Sequence, residues 1–109
     1  MSNADIVAGT LDLLVLKVLS QGPLHGYAIA KSIRRDSEEV LRVGDNTLYP
    51  ALHRLEARGD LSGAWGRTST GREARIYTLT ARGEKRLQKE SARWMERSRA
   101  ALRMLSGEG

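Results

Sequence analysis

Residues 81–106 carry one unbroken helical pattern, opened by Thr80, a residue type that caps helix N-termini well. At 1.5 Å per residue this helix is roughly 39 Å long. The ~75 residues before it make a globule too small to cover that length. Part of the helix must therefore meet something outside the globule. Leu87, Ser91, Trp94, Ser98, Ala101 and Leu105 step by 4, 3, 4, 3, 4, with Met95 and Leu102 beside them. That is a heptad-like seam with two serines in its middle, and it predicts a homodimer.

The preceding residues divide into short elements. Thr10 reads as the N-cap of a first helix, and Asp12 sits where the helix dipole favours a carboxylate. Leu11, Leu14, Val15, Val18 and Leu19 recur at helical spacing, widened by Leu13 and Leu16, until Gly22 and Pro23 stop the pattern. A second helix is expected from His25 to Arg35, with Ile29, Ala30 and Ile33 on its apolar face. After an acidic stretch, Gly44-Asp45-Asn46 signals a turn.

The third helix starts near Asn46 or Thr47, fixed by Pro50, because proline is expected only in a first turn. Leu48, Leu52 and Leu55 form one narrow stripe on it. Asn46, Pro50, His53, Arg54 and Ala57 collect opposite, with Tyr49 on the flank and Glu56 at the edge. Gly59 closes the helix. Two strands follow, Leu61–Trp65 and Glu73–Leu79, joined by the polar, basic and flexible loop from Gly66 to Arg72. Parity leaves open which strand face is buried, since Tyr77 and Leu79 share it with Arg75.

Charge then narrows the partner. Residues 1–66 hold 7 basic and 8 acidic side chains, whereas residues 67–103 hold 11 basic and 4 acidic. A basic half on a small domain points to a polyanion, nucleic acid first, against the plainer reading of a solvated face. The chain has no cysteine, which excludes disulfides, thiol catalysis and cysteine-held zinc. His25 and His53 stand 28 positions apart without a carboxylate cluster, so no metal or cofactor is expected. No apolar run approaches the ~20 residues of a membrane span, and no leader is read at the start. A cytoplasmic location is the expectation. Neither a catalytic triad spacing nor a P-loop is present, so no enzyme is read.

Helix, helix, helix, strand, basic loop, strand, helix is the order of a winged helix-turn-helix, a mainly α (α+β) fold. The reading divides the chain into a DNA-binding domain at 8–80 and a dimerisation helix at 81–106. The third helix has what a groove-reading helix needs: leucines behind, small or hydrogen-bonding groups in front. Candidate DNA contacts are Asn46, Thr47, Tyr49, Pro50, His53 and Arg54 on that helix, and Arg67, Arg72 and Arg75 on the hairpin. Double-stranded DNA is the expected partner. The competing class is a winged-helix module that binds a protein or small molecule without DNA; RNA is the weaker third.

These residues also carry a resemblance. Gly9-Thr10-Leu11, then Leu24-His25-Gly26-Tyr27, then Asn46-Thr47-Leu48-Tyr49-Pro50-Ala51-Leu52-His53-Arg54-Leu55-Glu56 with Gly59, then Arg75-Ile76-Tyr77-Thr78-Leu79-Thr80 with Gly83 closely resemble the PadR family of bacterial transcriptional regulators. The resemblance spans residues 8–87 and implies a dimeric DNA-binding repressor of the type with a single C-terminal helix. It further suggests that a planar aromatic effector binds at the dimer seam, where two Trp94 rings would face each other. The alternative role for Trp94 is an anchor of that seam, beside Leu87, Met95, Ala101, Leu102 and Leu105. Asp45-Asn46 departs from the family, in which glycine or another small residue is common before the Thr-Leu-Tyr-Pro run. A carboxylate there either caps the helix or weakens phosphate binding.

Overall fold

The computed structural model describes residues 8–107. The expectation of no leader rests partly on residues 1–7, which lie outside the described residues. Four helices, α1 (Ala8–Leu19), α2 (Gly26–Asp36), α3 (Asp45–Ala57) and α4 (Ala81–Leu105), surround strands β1 (Leu24–His25), β2 (Leu61–Arg67) and β3 (Glu73–Leu79). The strands form one antiparallel sheet in the order β1-β3-β2. This is a winged helix-turn-helix with a long C-terminal helix.

The apolar stripes converge on one core. Leu11, Val15, Leu16, Val18 and Leu19 of α1 meet Ile29 and Ile33 of α2, Leu48, Ala51, Leu52 and Leu55 of α3, and Leu61, Tyr77 and Leu87. Helix α1 is central because it is apolar around so much of its circumference. Register answers the question that parity left open. Leu61 pairs with Leu79, Gly63 with Tyr77 and Trp65 with Arg75, so these six share a face. Tyr77 is buried on that face, and burial pushes its phenol pKa up. Arg75 lies farther out, where the sheet passes the edge of α3.

Several local expectations change. Thr10 lies inside α1 rather than capping it, and Asp12 is the fifth residue of that helix, beyond the reach of its dipole. Strand β1 is additional: Leu24 and His25 are too short a run to show β periodicity, and become a strand through pairing with Tyr77 and Ile76. Pro50 is the sixth residue of α3, in its second turn. Having no N–H, it offers nothing to the Asn46 carbonyl, but both residues are on the exposed side, where water can serve.

The end of α3 is held by a Schellman closure. Asp60 N–H donates to the Leu55 carbonyl at 2.9 Å and Gly59 N–H to the Glu56 carbonyl at 3.0 Å. Gly59 has φ +85°, a conformation that costs a side-chain-bearing residue about 1 kcal/mol. Gly59→Ala is accordingly expected to lower the Tm by roughly 4–8 °C, measured by thermal unfolding. An unchanged Tm would show that the closure adds nothing.

The start of α4 follows expectation. Thr80 Oγ1 accepts from Gly83 N–H at 3.0 Å. Beyond Leu87, Glu90 and Ser91 are half-buried and Trp94 reaches Thr10 of α1, and from Ala101 onward the helix is exposed. No helix among the described residues is long and apolar enough to cross a membrane.

Candidate nucleic-acid interface

Helix α3 presents two contrasting sides. Leu48, Ala51, Leu52 and Leu55 are fully buried, whereas Asn46, Tyr49, Pro50, His53 and Ala57 are exposed and Thr47 is half-buried. Gly44 provides the N-cap in extended conformation, its carbonyl accepting from Thr47 N–H at 3.1 Å and Leu48 N–H at 2.9 Å. Asp45 occupies the first helical position, where a carboxylate is stabilised by the helix dipole.

Tyr49 leans back over α2. A Cβ on Gly26 would stand 2.9 Å from the Tyr49 hydroxyl and 3.0 Å from its ring. Glycine at the start of α2 therefore lets the ring settle there, which ties Leu24-His25-Gly26-Tyr27 physically to Asn46-Thr47-Leu48-Tyr49.

Two of the arginines assigned to DNA by sequence are engaged within the fold. Arg54 Nη2 donates to Asp12 Oδ1 at 2.8 Å, and Arg58 Nη1 reaches Asp12 Oδ2 at 3.5 Å. Arg75 Nη2 donates to Glu56 Oε2 at 2.5 Å, a bond that raises the guanidinium pKa. The Arg75 side chain crosses Gly63, where a Cβ would come within 2.7 Å of its Nε. Arg75 is the third residue of β3, within the strand read from the sequence. Helix α3 and its C-cap are thus joined to α1 by two ion pairs on one carboxylate, and α3 to the sheet by a third.

Arg67 and Arg72 stay on the wing, both exposed. The tip between them is more ordered than its polar composition predicts. Thr68 N–H donates to the Arg72 carbonyl and Gly71 N–H to the Thr68 carbonyl, each at 2.9 Å; Arg67 Nη1 donates to the Gly71 carbonyl at 3.1 Å. Gly71 turns the chain at φ +83°.

Between the wing and the start of α2 lies a cleft of about 860 Å³, lined among others by Tyr27, Lys31, Tyr49, Trp65, Arg72 and Arg75. Sequence reasoning missed Tyr27, Lys31 and Trp65 as members of this surface. Trp65 is 74% exposed and Tyr27 70%, high for such large aromatic side chains. The shared parity of Trp65 and Arg75 across the hairpin was the one available signal.

On α4, Leu87 is buried in the chain's own core, not placed on an outer seam. It falls within the first two turns, which pack on the globule. Trp94 is half-exposed, and its indole N–H donates to Thr10 Oγ1 at 3.2 Å. Met95, Ala101, Leu102 and Leu105 are exposed.

The comparisons agree with this geometry. The sequence profile of the transcriptional regulator PadR-like family matches residues 15–89. The transcriptional regulator Rv3488 of Mycobacterium tuberculosis is 33% identical over 90 residues, covering 83% of this chain and 80% of that one. A transcriptional regulator structure from Clostridium thermocellum superposes with a TM-score of 0.79 at 28% identity, over 89% of this chain and 94% of that chain. A PadR family transcription regulator from Clostridium difficile gives a TM-score of 0.75 at 26% identity, over 87% and 97%. With its recognition helix, its wing and the matched profile in one continuous stretch, the chain belongs to the PadR-like family of transcriptional regulators, proteins that act on DNA rather than as enzymes.

Proposed function

We propose that the chain is a homodimeric repressor that binds a palindromic operator through α3 and the wing. One observation carries this reading: the apolar side of α3 is wholly buried, leaving Asn46, Thr47, Tyr49, Pro50 and His53 toward a groove, with the wing beside them. Base edges are read by Asn46, Tyr49 and His53, and phosphates are met by Thr47, the backbone at the helix start, Arg67 and Arg72. Arg54 and Arg75 serve this reading by fixing α3 through Asp12 and Glu56. The domain at 8–80 carries the DNA surface, and residues 81–106 pair two copies. The two α3 helices then enter successive major grooves about 34 Å apart. A planar aromatic effector at Trp94, or an anchor of the seam between two copies, fits its half-exposed ring, whose indole N–H is held by Thr10 of the same chain.

The test starts by selecting a duplex from a random pool with the wild-type chain. If the dimer neutralises 6–10 phosphates, affinity falls roughly 10³–10⁵-fold between 50 and 200 mM salt. Arg67→Ala with Arg72→Ala is expected to weaken selected and scrambled duplexes alike and to lower the salt slope by roughly one per lost phosphate contact. Tyr49→Ala or His53→Ala should instead reduce the ratio between the two duplexes. Equal effects from both pairs would show that helix and wing share one task. Selection of no duplex at low salt would favour the protein-interaction module. Repression itself is read by transcription in vitro from a promoter containing the selected site.

A further inference from the structure

Asp12 is the one acid that reaches across from α1 to the recognition helix, and it holds two arginines at once. Arg54 in the last turn of α3 and its C-cap residue Arg58 are four residues apart, hence on one side of the helix end. One carboxylate serves both, Oδ1 taking Arg54 and Oδ2 taking Arg58. Asp12 is 14% exposed and fixed on a helix packed through the core; the arginines are 42% and 44% exposed. The acid is therefore the immobile member, and the long side chains come to it. Helix α1 is itself tied to α4 through Thr10 and Trp94.

We propose that Asp12 is a positioning residue that limits nonspecific DNA affinity, acting by withholding Arg54 and Arg58 from phosphates. Free arginines at this end of a recognition helix would bind any duplex, since each phosphate contact adds affinity without sequence information. Held on Asp12, they leave discrimination to Asn46, Tyr49 and His53 of α3 and nonspecific attraction to the wing. The inference rests on the DNA-binding reading above. It adds a role for a residue that need not touch DNA at all.

The experiment compares wild type with Asp12→Asn on the selected duplex and on a scrambled duplex of the same composition, across a salt series. Released arginines should raise affinity for the scrambled duplex about tenfold at 100 mM salt. The salt slope should steepen by about one to two, at roughly 0.9 per phosphate. Affinity for the selected duplex should rise alike, leaving the ratio of selected to scrambled binding within about threefold of wild type. Asp12→Glu should keep the wild-type slope, and adding Arg54→Gln and Arg58→Gln to Asp12→Asn should restore it. A folded Asp12→Asn protein with unchanged scrambled affinity and slope overturns the proposal, leaving Asp12 a brace that affects only the Tm. Should Asp12→Asn fail to fold, Arg54→Gln with Arg58→Gln alone decides the matter. Withheld arginines leave the wild-type slope intact when removed, whereas arginines already on phosphates lower it by about two. A wild-type chain that binds no duplex overturns both this proposal and the DNA reading; normal binding with no response to Asp12→Asn overturns the withholding role alone.

Discussion

Gly83→Ala is expected to destabilise the chain by about 3 kcal/mol, the upper range for an intruding methyl group. That corresponds to a fall in Tm of roughly 10–20 °C for a domain of this size. Gly83 is the third residue of α4, where the helix lies against the chain leaving α3. A Cβ there would penetrate the Asp60 carbonyl oxygen and stand 2.7 Å from Leu79 Cδ1. Neither side is placed to yield. The Asp60 carbonyl already accepts from Thr80 N–H at 3.1 Å, and Asp60 N–H completes the Schellman closure of α3. The Asp60 side chain is fully buried, with Arg86 Nε 2.7 Å from one carboxylate oxygen and Arg82 Nε 3.8 Å from the other. The Arg86 contact is close but off the N–H line, so it counts as a charge contact and not as an aligned hydrogen bond. Thermal unfolding measures the effect. A Gly83→Ala Tm within about 3 °C of wild type would mean that the α4 start moves aside freely.

The order of elements was legible because the apolar residues of each helix recur at helical spacing, with Gly22-Pro23 stopping α1, Gly59 closing α3 and Thr80 opening α4. The leucine stripe of α3, the Glu73–Leu79 strand and the Thr80 cap all stand as read. What escaped the sequence was long-range. No local rule tells Arg54 that Asp12, 42 residues earlier, will take its charge, or brings Arg75 to Glu56. Each arginine looks free when counted along the chain, and only the packing of α1 and the sheet against α3 supplies the acid. Asp60 was missed for a similar reason. A carboxylate beside a closing glycine reads as a surface turn, and it becomes buried because α4 returns over it. Leu87 belonged to a heptad step on paper, but the globule covers the first two turns of α4 before a second copy can. Tyr27 and Lys31 on α2 and Trp65 on β2 lie on two separate stretches of chain, brought to one cleft by pairing of β1 and β2 with β3.

Substituting Leu102 and Leu105 by Glu together should turn the proposed dimer into a folded monomer and cost roughly 10²–10⁴ in affinity for the selected palindrome. Leu102 is 64% exposed and Leu105 85%, so neither supports the chain's own core. Their replacement leaves the globule intact and the Tm of its unfolding nearly unchanged at a concentration where wild type is already dissociated. In a two-fold pair the same stripe faces itself, so each substitution places glutamates opposite glutamates in an apolar seam. Neighbouring Arg99 and Arg103 offer some compensation, which is why two substitutions are made rather than one. A dimer engages its second half-site at a high effective concentration, and a monomer loses that advantage without losing a single base contact. Binding to one isolated half-site should therefore stay within about twofold of the monomeric arm of wild type, while the palindrome loses its advantage over it. Sedimentation reads the first step and a titration on whole and half sites reads the second. A variant that still sediments as a dimer would place the seam elsewhere. A monomer that holds the palindrome as tightly as wild type would show that each copy binds alone.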